Sequence, residues 1–384
     1  MKTILTATMM LSFLFPPKPG PAQRLKKAER KIEKLFQREL DKPKVHNAFL
    51  SVYAPGRGLQ WTFTGGQFED GSLVSPANPF HSASIGKTFT ATLVMLLVEE
   101  GKLELDAPLS NYLPEEAYAG LHVWNGVDMT GQITIAQLLQ HTSGLPDWFE
   151  DRPEQGMAFL ERMLTEPNQF WTPQAILDYT RQNLKPHFPP GQGYYYTDTE
   201  YFLLGLIIER LYRQPLHEVL EAQILEPLQL TQTSMYFRSD PLDPYTGRMA
   251  ELYADDVEIS TFRSLSADWA GGGLLTTTDD LLQFMEALNT GKLINRSTYE
   301  AMQQWVPETR GMEYGYGLRK FRLRGLFPLL PDLTLIGHSG STGSYMYYCP
   351  ELEVYLAGTF NQTGYMKEHV VFMVKVLSVL KKQF

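Results

Sequence analysis

Cysteine is nearly absent: Cys349 is the single one in 384 residues. One thiol excludes an internal disulfide framework and any thiolate-rich metal site. It stands in SYMYYCPE, Ser344 to Glu351, which reads as a strand and predicts a buried structural cysteine. Positive charge is also scarce, with 34 Lys and Arg against 43 Asp and Glu and a formal net charge of -9. No Lys/Arg cluster is interleaved with aromatics, so a nucleic-acid partner is not expected. The eight histidines include no metal-ligand spacing such as His-Glu-x-x-His. No metal or other cofactor is therefore expected.

Apolar runs long enough for an ordinary membrane span are also missing. Met1 to Phe15 carries Lys2 ahead of a mostly apolar stretch, and Gly20-Pro21-Ala22 supplies the small residues of a cleavage site. Residues 1–22 are expected to be an export signal and a stiff linker holding Pro16, Pro17, Pro19 and Pro21. That predicts a periplasmic or extracellular protein, with no stable membrane span once the signal is removed.

What is present suits a packed enzyme-sized fold. Apolar residues make up 43% of the chain, enough to bury a sizeable core and too many for disorder. Gln23 to Leu40 puts Leu25, Ala28, Ile32, Leu35, Phe36 and Leu40 on one face, which predicts an amphipathic helix docked on a sheet. AFLSVYAP and LQWTFTGG then flank Gly56-Arg57-Gly58 and read as a β-hairpin. Further on, Trp148 to Phe188 reads as helical and polar-faced. Leu333 to Gln362 reads as three strands with turns at Ser339 to Gly343 and Cys349 to Glu353, and a closing helix is expected over about Met366 to Lys381.

Three constellations carry chemistry. The first is Ser84-Ile85-Gly86-Lys87 at the start of a buried helix marked by Phe89, Leu93, Leu96 and Leu97. Spaced by three on a first helical turn, serine and lysine share one face, and the free N–H groups there favour a developing negative charge. A desolvated neutral amine can take the serine proton. Ser-x-x-Lys alone is too degenerate to assign an activity. The second is the loop Tyr194 to Asp198, ahead of the apolar helix Tyr201 to Leu211, where the Tyr196 phenol and Asp198 point the same way. The third is His338-Ser339-Gly340 at a strand end. His141, bracketed by Gln140 and Thr142, is read as fixing its loop. Gly337 to Ser341 comes within one residue of Gly-x-Ser-x-Gly, but an α/β-hydrolase needs an acid and then a histidine after its nucleophile. Beyond Ser339 only His369 remains and there is no aspartate.

Ser-x-x-Lys, Tyr-x-Asp and His-x-Gly in this order resemble the serine β-lactamase-like superfamily, specifically the branch of class C β-lactamases, low-molecular-weight DD-peptidases and related carboxylesterases. GKLELDAPLSNYLP, LLQHTSGLP, YFLLGLIIE, AGGGLLTTTDDLLQF and YGYGL are also similar to that family's connecting segments, so the resemblance spans about Leu35 to Leu380. It implies an α/β fold of the α+β type: an antiparallel sheet flanked by the N- and C-terminal helices, with an inserted, mainly helical subdomain. Residues 23–384 would form one catalytic domain, 23–105 and 254–384 building the sheet part and 106–253 the helical part.

By the same resemblance Ser84 is the acylated nucleophile, Lys87 the neutral amine that helps deprotonate it, and Tyr196 the acid/base toward the leaving group. His338 takes the position of a lysine in many relatives. The N–H groups of Ser84 and Ser341 form the oxyanion hole, and Gly340 lets substrate lie against the strand. Asp198 departs from the usual Asn. A carboxylate cannot donate to a substrate carbonyl, but it can pair with a cationic amine such as that of a D-aminoacyl ester or peptide. An imidazole at His338 also gives less fixed positive charge than lysine. The expected activity is that of a serine hydrolase acting on ester or amide bonds through an acyl-enzyme, as an esterase or D-amino-acid-directed peptidase. The expected partner is a small-molecule or peptidoglycan-type substrate. The alternatives are a β-lactamase of class C-like mechanism and a penicillin-binding sensor or scaffold without catalysis.

Overall fold

The computed structural model describes residues 20–384. Of the expected export signal and linker, residues 1–22, residues 1–19 lie outside them, and Pro21 and Ala22, expected in the linker, instead begin a helix. Helix α1, Pro21–Leu40, has proline in its first turn, where a missing N–H costs nothing. It buries Ala28, Ile32 and Phe36 and leaves its lysines and arginines exposed. β1, Asn47–Ala54, and β2, Leu59–Gly66, follow as the expected hairpin, pairing Val52 with Trp61.

The remaining strands of the main sheet come from the C-terminal fifth. They are β3 Val306–Thr309, β4 Met312–Tyr314, β5 Arg319–Arg322, β6 Thr334–Ser339, β7 Tyr345–Cys349 and β8 Val354–Thr359. All neighbours are antiparallel, in the order β3-β4-β5-β6-β7-β8-β1-β2. β1 thus pairs with β8, setting Phe49 opposite Thr359 and Val52 opposite Leu356.

Each strand turns alternate side chains to opposite faces. On one face Leu50, Val52, Tyr347 and Leu356 pack with Ile32 and Phe36 of α1 and with Phe372, Val376 and Leu377. The latter lie on the C-terminal helix, Glu368–Leu380. On the other face Phe49, Met346 and Ala357 join a larger core around α2, Gly86–Glu99. α2 is buried nearly all round, threonines included, packed against α3, Asp198–Tyr212, and the short helix Trp269–Gly272, with α4, Thr278–Thr290, reaching it through an aromatic ring. Phe89 of α2 stacks on Phe284 of α4 with ring centres 3.7 Å apart.

Among the described residues, 106–253 contribute no strand to the main sheet. No helix there is long and apolar enough to cross a membrane. Trp148 to Ala158, expected to be helical, is loop. Asp147 Oδ2 accepts from the Glu150 N–H at 3.0 Å and closes a turn, and Pro153 and Gly156 oppose helix beyond it. Helices form only at Phe159–Thr165 and Pro173–Asn183.

Candidate active site

Ser84 sits on a short 3-10 turn, Ala83–Ile85, that runs into α2. The turn is held on both sides by backbone. A methyl group added at Gly340 would lie 2.6 Å from the Ser82 carbonyl oxygen and 2.7 Å from Ala83 Cβ. One added at Gly272 would lie 2.5 Å from the Ala83 carbonyl carbon. Only glycine permits either approach. Side chains complete the grip: Ser344 Oγ donates to the Ser82 carbonyl at 2.7 Å and Thr342 Oγ1 to that of His81 at 3.1 Å. Ala83 is left at φ +46, a conformation that a non-glycine residue adopts only when its surroundings impose it. Neither the Ser84 N–H nor the Ser341 N–H donates to any other group among the described residues.

Lys87 is completely buried one turn along, with Nζ 3.2 Å from Ser84 Oγ. Nζ also donates to the Gly271 carbonyl at 2.9 Å and forms an ion pair with Asp198, the first residue of α3. Burial works against the charge on Lys87, but the Asp198 carboxylate and the Tyr196 phenol outweigh it and hold the ammonium form above its ordinary range. The neutral amine expected from sequence is therefore not the resting state. Asp198, expected to await a substrate amine, already has a cation inside the protein.

Tyr196 is brought in by an extended segment pinned to His141, whose carbonyl accepts from the Tyr195 N–H at 2.9 Å. The His141 ring lies 4.2 Å from that of Tyr196, centre to centre, and is fixed through Nδ1 by buried Glu200 on α3. The structural reading of His141 thus gains a specific object. Lys87 Nζ is 5.0 Å from the centre of the Tyr196 ring, and Tyr196 Oη is buried with no hydrogen-bond partner among the described residues. Burial, partly offset by Lys87, pushes the phenol up to about 12, so at neutral pH it is a proton donor.

His338 is fully buried behind the cleft. Its Nδ1–H donates to the Ser339 carbonyl at 2.8 Å, which leaves Nε2 to accept from Tyr314 Oη at 2.8 Å. Burial first, then Arg319 and Lys87, hold the imidazole well below its usual range. The structure therefore gives His338 no direct access to substrate and no charge. The cation beside it is Arg319, opposite Gly337 on β5. Its guanidinium makes two 2.9 Å bonds to Glu308 and lies 5.2 Å from the centre of the Tyr196 ring. Sequence reasoning missed Arg319, Glu308, Tyr314 and Glu200. Only Tyr314 and Arg319 left a trace, in or beside the YGYGL segment.

A family model described as Beta-lactamase matches residues 32–373. Penicillin-binding protein 4* of Bacillus subtilis (strain 168) is 27% identical over 252 residues, which are 62% of this chain and 51% of that protein. The chain spans about half the length of the curated relatives it matches. Among solved structures, a D-amino acid amidase from Ochrobactrum anthropi SV3, complexed with L-phenylalanine amide, superimposes with a TM-score of 0.75. It is 23% identical, with 93% of this chain and 99% of that one covered. A D-stereospecific amidohydrolase from Streptomyces sp. gives a TM-score of 0.71 at 27% identity, covering 92% of this chain and 98% of that one.

Proposed function

Because the chain belongs to the beta-lactamase family, we propose that it is a serine hydrolase that cleaves ester or amide bonds through an acyl-enzyme on Ser84. The observation that carries this reading is Ser84 Oγ standing 3.2 Å from a buried lysine amine on a turn with two unengaged N–H groups beside it. Lys87 first gives up its own proton to solvent; Ser84 Oγ then attacks the substrate carbonyl, and its proton passes to the freed Lys87 amine 3.2 Å away. The carbonyl oxygen takes its developing charge to the N–H groups of Ser84 and Ser341, a pair of donors each worth about 2.7–4 kcal/mol in comparable sites. The protonated phenol of Tyr196 supplies the leaving group's proton, and water then releases the acyl group by the reverse relay.

D-aminoacyl esters and amides are the substrates this reading favours, supported by the names of the two amidase-type neighbours. Export rests on Met1 to Phe15 alone. The test is hydrolysis of p-nitrophenyl butyrate by the wild type and by folded Ser84→Ala, with the acyl adduct followed by mass spectrometry. Turnover should fall by at least about 10³-fold and the adduct should vanish. Equal turnover in both proteins would reject Ser84, and a stable β-lactam adduct without any ester turnover would favour a sensor.

A further inference from the structure

Beside the site lies a pocket that none of these roles uses. It encloses about 520 Å³, counting the solvent at its mouth. It runs from Ser341, the expected oxyanion donor, to a wall that includes Phe149, Leu164, Phe262 and Leu265. Leu160 and Leu164 stay 43% and 41% exposed on it, as apolar surface without a cover. Two titratable groups reach this lining, His81 and Asp268. His81 is spent, its Nε2 bonded to the Ser260 carbonyl at 3.0 Å and its imidazole held neutral by burial.

Asp268 is different. Three residues before Gly271, whose carbonyl receives Lys87, it is close enough to feel the charges of both Asp198 and Lys87. Its carboxylate has no hydrogen bond and no ion pair among the described residues. Lys87, the cation whose charge it feels, is taken by Asp198. Asp268 keeps part of its surface open; loss of water around it, then the charge of Asp198, push its carboxyl up, as follows for a carboxylate left without a counter-ion.

An unpartnered carboxylate in a largely apolar pocket that also reaches Ser341 is the complement of an ammonium group attached to an apolar body. We propose that this pocket receives the acyl half of the substrate and that Asp268 binds a primary ammonium group on it, selecting amino-bearing acyl donors with an apolar side chain. This rests on the reading of Ser84 as nucleophile, and it moves amine recognition from Asp198, already paired, to Asp268.

A binding experiment separates the two ideas. Phenethylamine and its neutral analogue 2-phenylethanol are titrated calorimetrically against Ser84→Ala and Ser84→Ala/Asp268→Asn at about pH 8.5, where the amine is still charged. Phenethylamine should bind Ser84→Ala at least about 10-fold more tightly than 2-phenylethanol. Asp268→Asn should remove that difference while 2-phenylethanol binds as before, which also shows that the pocket has kept its shape. Equal affinities in Ser84→Ala, loss of both ligands together in the double variant, or no binding of either would overturn the proposal. Ester turnover that survives in Ser84→Ala would instead reject the hydrolytic reading and leave this comparison standing.

Discussion

Lys87 and Asp198 set the charge state of the site between them. If Lys87 takes the serine proton it must first lose its own, and the adjacent carboxylate opposes that loss. Replacing Asp198 with Asn removes the opposing charge, so the lysine pKa falls and the free amine is present at lower pH. The acidic limb of the kcat/KM profile for p-nitrophenyl butyrate should therefore move to lower pH in Asp198→Asn. A limb that stays in place would remove Lys87 from the base role. The Ser84–Lys87 pairing was legible in the chain because its three-residue spacing lies within one helical turn. The Asp198 ion pair was not, since the two residues are 111 positions apart and only the packing of α2 against α3 joins them.

At the scale of elements, the proposed nucleophile depends on backbone that contributes no chemistry. Gly340 follows β6 and Gly272 precedes a short strand, Leu274–Thr276, yet both lie against the turn before α2. A methyl group at Gly340 would also come within 2.4 Å of Ser344 Oγ. Gly340→Ala should destabilise the protein by about 1–3 kcal/mol by overpacking, seen as a lower denaturant midpoint. It should also slow acylation by about 10²-fold or more, because a shift of about an ångström at the nucleophile has that effect. Normal single-turnover acylation in the variant would show that the turn tolerates the strand. The hairpin, β6 to β8 and the terminal helices were readable from periodicity, since each buries a clear apolar face. β3, β4 and β5 were not: they are 4, 3 and 4 residues long. Their charges are matched only across the sheet, as with Lys320 and Arg322 on Glu313. Local pattern holds no record of such pairing.

The molecule as a whole has two cores separated by its sheet, and the expected chemistry lies on one side only. Phe372, fully buried in the core under α1, meets Phe360 edge to face with centres 5.4 Å apart. Phe372→Ala should lower unfolding free energy by about 3–5 kcal/mol through the cavity it leaves. The fraction that stays folded should keep wild-type kcat on p-nitrophenyl butyrate. A loss of kcat matching the loss of stability would mean that the sheet transmits strain between the cores.

The pairing of β1 with β8 gives the site a place in time. A chain made from its N-terminus completes Ser84 and Lys87 early, but the hydroxyl that holds the Ser82 carbonyl comes from Ser344, 262 residues later. Gly340, Ser341 and the strand that closes the sheet on β1 arrive with it. Until Ser344 and the strand after it have been made, the growing polypeptide carries its proposed nucleophile unarmed.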